Sequence, residues 1–413
     1  MFKFLTGRLL IVRIILLLAA LALVGIGIAA IYAVGNPDQP STAGDSDELA
    51  GLWQRQIQYA AAAVIGFLAV NFINYRRFGA ASYAMYAAIL GLLVVLLLDN
   101  FVDIPFVPVI NGTRRWIRLG LAGRQVSIQP SEFCKLIYLT ALAWYLRYRS
   151  NYRNFRALIG PFVLTLVPMM LILAEPDLGT VLLMMPILFT MLFVAGAKAR
   201  HLLIIIVMAC VTSPLMWYVM KPYQRARISA VILQSARVRA VAQEHPKITT
   251  ALLGRTFSEK QWENHWGYHL IRSKFAVASG GTSGYGFRKG PFVKYNFLPA
   301  RHNDFIFAVI AHQWGFWGCL AVLALYIIIV ACGLEIAVSN TDPFGRLLAT
   351  GIAAMFAVEV LVNVSMTLGL MPITGLTLPL VSYGGSSLVV SMASVGLLNN
   401  IGRCRPFTVA RRI

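Results

Sequence analysis

Apolar residues in this chain come in long unbroken runs, not in the short alternations or narrow stripes of a water-soluble fold. A run of roughly twenty such residues crosses a bilayer as one helix. The first follows Lys3, Arg8 and Arg13 and extends to about Val34, which is too long for the core of a signal peptide. Others cover about 57–74, 80–98, the stretch opened by Pro130, 158–174, 178–196, 201–220, 304–332, 344–369 and 380–402. Between them the polar connections alternate in charge. Asn74 to Arg77, Arg147 to Arg156, Lys198 with Arg200, and the C-terminal Arg403, Arg405, Arg411 and Arg412 are basic, and such segments stay in the cytoplasm. Segment 35–56 carries the acidic Asp45, Asp47 and Glu48, and Glu175-Pro176-Asp177 forms a second acidic turn, as expected outside.

The expectation is an all-α polytopic membrane protein of about ten transmembrane helices with both termini cytoplasmic. It is read as one integral membrane domain, 1–413, with a large extracytoplasmic loop at about 221–303 between helices seven and eight. That loop reads as amphipathic helical pieces around 224–243 and 257–275, then a glycine-rich turn from Ser279 to Gly286. Residues 99–130 read as an extended outer loop.

Composition narrows the class further. With 58% hydrophobic and 13% charged residues, the chain has too little polar surface to cover a water-soluble core of 413 residues. Its net charge of +20 is explained by cytoplasmic loops and anionic headgroups, so no nucleic-acid partner is expected. The five cysteines have no paired spacing and read as small buried hydrophobes.

Three features carry candidate chemistry. Asp304 is the last carboxylate before 305–332, a stretch with no other charge, and a carboxylate at the edge of hydrocarbon is costly unless paired or used. Its bland alternative is a helix N-cap. Glu132 and Lys135, three apart after Pro130-Ser131, share one helix face and must point at each other, at a partner or at a polar cavity. Arg114, Arg115 and Arg118 lie in a loop assigned to the outside, where arginine is unexpected and an anionic ligand or lipid phosphate would explain it.

The motifs Asn111-Gly112-Thr113-Arg114-Arg115-Trp116-Ile117, Gln129-Pro130-Ser131-Glu132, Pro176-Asp177-Leu178-Gly179-Thr180, Arg301-His302-Asn303-Asp304-Phe305-Ile306-Phe307-Ala308 and Gly375 to Ser387 together resemble the shape, elongation, division and sporulation family. Ser273 to Gly281 and the Arg301-His302 pair are more similar to its elongation subgroup than to its division subgroup. The resemblance implies a peptidoglycan glycosyltransferase that polymerises lipid II on the outer face of the bacterial cytoplasmic membrane. It would be an inverting hexosyltransferase using an undecaprenyl-diphosphate donor, with the aspartate matching Asp304 as catalytic residue. Implied partners are lipid II and the growing glycan, a class B penicillin-binding transpeptidase and other elongation-complex proteins. Ala300, His312-Gln313-Trp314, Glu175 and Glu359 depart from the family's usual residues, and 235–265 reads as an elaboration without an assigned role.

The chemistry is coherent on its own terms. When a sugar 4-hydroxyl displaces a lipid diphosphate, the leaving group is already a stabilised anion, so one base suffices where glycoside hydrolysis needs two carboxylates. Asp304 is the expected base. Arg114, Arg115, Lys135 and Lys274, or a divalent cation such as magnesium or manganese, would neutralise the diphosphate; no organic cofactor is expected. Glu132, Arg301, His302, Ser382 and Ser386 complete the substrate-binding candidates, although Ser382 to Ser387 reads more readily as a close-packed turn with capping hydroxyls than as a nucleophile. A lipid flippase would concentrate its polar groups near the bilayer midplane, and a scaffold would need no external ion cluster. Glu359 and Asn363 are the exceptions to the outward clustering seen here.

Overall fold

The computed structural model describes residues 9–38, 51–99, 102–109, 113–121, 124–148, 154–220, 222–253, 257–295, 297–298 and 300–404. Lys3, Arg8, Asp45, Asp47, Glu48, Asn111, Gly112, Pro299, Arg405, Arg411 and Arg412 lie outside them, as do 149–153 of the basic loop.

The apolar runs become helices: α1 (Leu10–Gly35), α2 (Leu52–Phe72), α3 (Tyr75–Leu98), α4 (Pro130–Leu146), α5 (Ile159–Ala174), α6 (Leu178–Val194) and α7 (Ala199–Val219). Shorter helices occupy the long polar segment, among them α8 (Pro222–Ile232), α9 (Ala236–Glu244), α10 (Pro246–Leu253), α11 (Tyr268–Gly280) and α12 (Pro291–Lys294). Then α13 (Ile306–Val338), α14 (Pro343–Thr367) and α15 (Gly385–Arg403) close the chain. Starts are set by local chemistry. Asn74 and Asp342 cap α3 and α14 through bonds to Arg76 N and Phe344 N, Asp177 caps α6 at Thr180 N, and Pro130 and Pro343 open α4 and α14.

By length and composition Leu10–Gly35, Tyr75–Leu98, Phe155–Ala174, Ile306–Val338 and Pro343–Thr367 can cross a membrane, and Leu178–Val194 and Ala199–Leu215 are shorter apolar helices. Large apolar side chains such as Ile11, Phe72 and Val211 are each 73% exposed, the reverse of a soluble fold and what a lipid-facing surface requires. The chain is an all-α polytopic membrane protein. One element departs from the expected extended loop: β1 (Ile117–Leu121) and β2 (Arg124–Ile128) form an antiparallel hairpin, pairing Ile117 with Ile128, because a ladder satisfies backbone groups that a bare loop would leave open.

The bundle pairs α15 with α2, α13 with α14 and α1, and α3 with α4. One end of it is tied by polar side chains: Arg13, taken from sequence as a flanking cation, is buried within α1 and donates Nε to Asn399 Oδ1 at 2.9 Å, and Asn399 Nδ2 donates to Asn71 Oδ1 at 2.6 Å. Tyr75 OH donates to Asp342 at 2.7 Å.

The glycine-rich turn has a structural role. Gly315 breaks α13 with φ 62° and ψ −155°, which only glycine tolerates readily, and the break strands carbonyls inside the bundle. The turn inserts there: Tyr285 N donates to His312 O (3.0 Å), Gly286 N to Gln313 O (2.9 Å), and Phe316 N to Gly281 O (2.9 Å). Non-helical backbone at depth is tolerated where protein satisfies it in this way. His312 and Gln313 serve the same anchor, through Ser279 Oγ to Nδ1 (2.8 Å) and Arg288 N to Oε1 (3.1 Å). Within the long polar segment the helices break at 233–235, and the second piece is helical from Glu259, running through a short turn Glu259–Gln261 and a π-helical stretch Trp262–Trp266 into α11.

Candidate active site

Phe305, not Asp304, is the N-cap of α13, and no side chain caps that end. Asp304 is therefore not a cap. Its backbone carbonyl is held by Asn363 Nδ2 at 3.1 Å, and the same amide nitrogen donates to Leu376 O at 2.6 Å, so α14 fixes where the aspartate sits. The carboxylate itself has no hydrogen-bond partner among the described residues. Instead it lines a cavity of about 420 Å³ shared with Thr113, Arg115, Trp116, Gln129, Glu132, Asp177, Thr180, Arg227, Tyr383, Ser386 and the 374–377 backbone. Gly375 comes close at positive φ (78°), and a Cβ there would stand 3.8 Å from Asp304 Oδ2. Burial raises the carboxyl pKa to about 6; Arg227 pulls it down and Asp177 pushes it up. A carboxylate still ionised at neutral pH, yet basic enough to accept a proton there, suits general-base work.

The cavity wall is built from side-chain clips. Asp177 accepts from Ser131 Oγ (2.9 Å) and Thr180 Oγ1 (3.0 Å), joining α4 to α6. Ser386 Oγ accepts from Gln129 N at 3.0 Å. Arg115 donates Nη2 to Pro176 O at 2.5 Å, which aims the guanidinium along the cavity. Beneath, Lys135 Nζ lies 2.6 Å from Glu359 and 2.9 Å from Glu132.

Of the residues expected from sequence, Asp304, Arg115, Glu132 and Ser386 meet in the cavity. The others are placed elsewhere. Arg114 braces its own loop, bonded to Asp99 Oδ2 at 2.8 Å and to Asp103 at 3.5 Å. Lys135 is enclosed by its two carboxylates and does not line the cavity. Lys274 is exposed on α11 and donates to Gln234 Oε1 at 2.9 Å. Arg301 is buried, its Nη1 donating to the carbonyls of Phe292 and Val293 at 3.2 Å, so it is a strut for the α12 turn. His302 packs edge-on against Tyr383 (5.7 Å), and burial holds its pKa down at about 4. Ser382 Oγ donates to Asn303 O at 2.7 Å and accepts from Leu378 N at 2.8 Å, clipping the 378–382 turn to the aspartate's neighbour.

The sequence reading missed Arg227, on α8 in the polar segment, and gave no role to Asp177, Thr180 or Tyr383 within quoted motifs. Arg227 shares a short, mixed-polarity helix with Arg225 and Gln224, so nothing in the sequence singles it out. Glu175, read from sequence only as part of an acidic turn and a departure from the family's residue, is 4% exposed; both carboxylate oxygens lack a hydrogen-bond partner among the described residues, and burial raises its pKa to about 8.

Comparison with known proteins shows which family the chain falls in. The family model FTSW_RODA_SPOVE, described as "Cell cycle protein", matches residues 13–405. The peptidoglycan glycosyltransferase RodA of Treponema pallidum (strain Nichols) is 31% identical over 435 residues, covering 94% of this chain and 96% of that one. The peptidoglycan glycosyltransferase MrdB of Escherichia coli (strain K12) is 33% identical over 352 residues, 85% of each chain. Among solved structures, one described as "Structural coordination of polymerization and crosslinking by a peptidoglycan synthase complex" is similar with TM-score 0.69 and 30% identity, covering 94% of this chain and 96% of that one. The rod shape determining protein RodA of Thermus thermophilus is similar with TM-score 0.61 and 28% identity, covering 94% and 95%. With a match from residue 13 to residue 405 and relatives aligned over nearly their whole length, this chain belongs to the FtsW/RodA/SpoVE family of cell-cycle proteins.

Proposed function

We infer that this chain is a peptidoglycan glycosyltransferase of cell elongation, polymerising lipid II into glycan strands on the outer face of the cytoplasmic membrane. The observation that carries this reading is the unpaired carboxylate of Asp304, open to a 420 Å³ cavity that two arginines also line. In the step it supports, the 4-hydroxyl oxygen of one sugar forms a bond to the anomeric carbon of another. The bond from that carbon to the diphosphate oxygen breaks, the diphosphate leaves with its electron pair, and Asp304 takes the hydroxyl proton. Attack opposite the leaving group inverts the carbon. Arg115 and Arg227 face the developing diphosphate charge. A divalent cation shared with the diphosphate oxygens would need only one or two protein carboxylates and would neutralise the same leaving-group charge.

The topology in this reading has ten spans, α1 to α7 and α13 to α15. Both termini are cytoplasmic, and 221–303 forms one outer elaboration of a single domain. Lipid II, the growing glycan and a class B penicillin-binding transpeptidase are the proposed partners. The relative described as a synthase complex supports the last of these.

The test is reconstitution of purified protein with its transpeptidase and lipid II, assayed for glycan chains. Asp304→Asn should lose activity on the order of a hundredfold or more, the usual size of removing a general base. Full activity in Asp304→Asn, or glycan from the transpeptidase alone, overturns the assignment. Lipid crossing the bilayer with no glycan in either form points to a flippase instead.

A further inference from the structure

Glu175 has no part in the catalytic reading, yet it is a buried acid with nothing to bond. It is the C-cap of α5, its backbone N–H spent on Ile172 O and Leu171 O. Its side chain is buried, and neither carboxylate oxygen has a hydrogen-bond partner among the described residues. An acceptor buried in this way costs free energy, and such a group in a native structure calls for a reason.

A matching donor is unpaired in the same place. Arg115 lines the Asp304 cavity and donates Nη2 to the carbonyl of Pro176, the residue next to Glu175, at 2.5 Å. Its Nε is buried and has no acceptor. A guanidinium nitrogen without an acceptor therefore stands beside a carboxyl without a donor, each within the other's field but with no hydrogen bond between them. The surroundings offer Glu175 no other cation. Asp177, at the start of α6, pushes its carboxyl toward the neutral form, and Arg115 pulls the other way. The buried thiol of Cys134 on α4 lies in the same field and supplies no positive charge. The last carbonyls of α5 add negative potential at its C-terminal end. Protonated, Glu175 leaves the guanidinium to an anion in the cavity. Ionised, it has Arg115 as its partner, whose planar fork suits a carboxylate.

We propose that Glu175 is a positioning residue that competes with the substrate's diphosphate for the Arg115 guanidinium, so that the diphosphate binds as Glu175 takes up a proton from solvent. The proposal rests on the glycosyltransferase reading for the identity of the anion and adds a control on the cation that receives it. With its pKa held up at about 8, the acid is mostly neutral at pH 7 and Arg115 is available. As pH rises through about 8 the carboxylate forms and claims the guanidinium, so affinity for the diphosphate falls. An acid buried for structure alone would make stability depend on pH and leave affinity level.

Lipid II binding is measured by titration calorimetry on purified full-length protein in detergent. The protein carries Asp304→Asn, which stops turnover and removes that carboxyl's own titration. The diphosphate of lipid II is a diester, so its charge is constant through neutral and mildly alkaline pH. Kd should be level up to about pH 7.5 and weaken toward about tenfold per pH unit above about 8. Buffers of different ionisation enthalpy should show uptake of up to about one proton per lipid at about pH 8.5. Glu175→Gln, of the same size, should lose both the limb and the proton uptake, and Glu175→Asp, which keeps an acid, should retain a limb. Arg115→Ala should weaken binding at pH 7 about tenfold, the scale of one charged hydrogen bond, and move the limb to higher pH. Affinity level with pH before Glu175 is changed, or a limb or proton uptake that survives Glu175→Gln in a protein eluting as its parent does, overturns the proposal. Glycan synthesis by the Asp304 protein with such level affinity sinks this inference alone. Binding linked to pH through Glu175 in a protein that makes no glycan leaves the competition standing and sinks the glycosyltransferase reading. Lipid II that does not bind at any pH overturns both.

Discussion

Asp304 carries a stability penalty, and that penalty is measurable. Burial lifts its carboxyl from 3.8 to about 6, worth about 3 kcal/mol at about 1.4 kcal/mol for each tenfold change in proton affinity. Because the carboxylate opens onto a cavity, solvent screening reduces this to about 1–2 kcal/mol. The folded state holds the proton more tightly than the unfolded state does, so stability falls as pH rises from about 4 to 6 and stays lowered above. Asp304→Asn removes the ionisation. It should therefore raise the unfolding temperature at pH 7, lower activity, and abolish that part of the pH dependence of stability. Catalysis has the opposite slope. The base must be ionised, so kcat/KM should rise with pH and level off above about 6, falling about tenfold for each unit below. Arg227→Ala removes the cation that holds the pKa down, so the rising limb should move to higher pH. Thermal unfolding followed by intrinsic fluorescence, together with glycan-synthesis rates from pH 5 to 8, supplies both readings. A less stable Asp304→Asn, or a limb that moves to lower pH in Arg227→Ala, would refute this account of the site.

Glu175→Gln should stabilise the protein by up to about 3 kcal/mol at pH 7, because the buried acid, raised to about 8, makes the folded state lose stability as pH climbs between about 4.5 and 8; the check is a melting temperature that falls less than the parent's between about pH 6 and 8, where Asp304 no longer contributes a slope. Lys135→Met leaves Glu132 and Glu359 buried without their ammonium and should cost about 3–5 kcal/mol, part of which Lys135→Met/Glu359→Gln recovers in thermal unfolding. Gly315→Ala forces a Cβ into positive-φ backbone against Thr282 and Gly284; a loss of at least about 2 kcal/mol and faster proteolysis of the 280–290 turn are expected, and parent-like stability would show that the turn does not depend on the break.

Family membership and the membrane class were legible because both are written in local pattern: apolar runs set spans, loop charges set their sense, and contiguous motifs mark the family. Asp304 was legible for the same reason, as a charge at the edge of a long apolar run. What pattern cannot state is which side chains, hundreds of residues apart, share a space. Arg114 and Arg115 are neighbours in sequence, yet one is bonded to Asp99 and the other lines the cavity. Lys135 looked like a cavity residue until Glu359, 224 positions away, closed over it. Arg301 adjoins the motif aspartate but is spent on carbonyls of the preceding turn. The glycine-rich turn was recognisable as a turn, but the broken helix it repairs was not visible, because backbone hydrogen bonds between distant segments leave no mark on residue type. Helix periodicity and hydropathy are properties of a segment and its solvent, so the chain alone determines them. Pairing of buried charges and the walls of a cavity depend on how segments pack, and here packing decided which cations stand near Asp304 and which were consumed in holding it there.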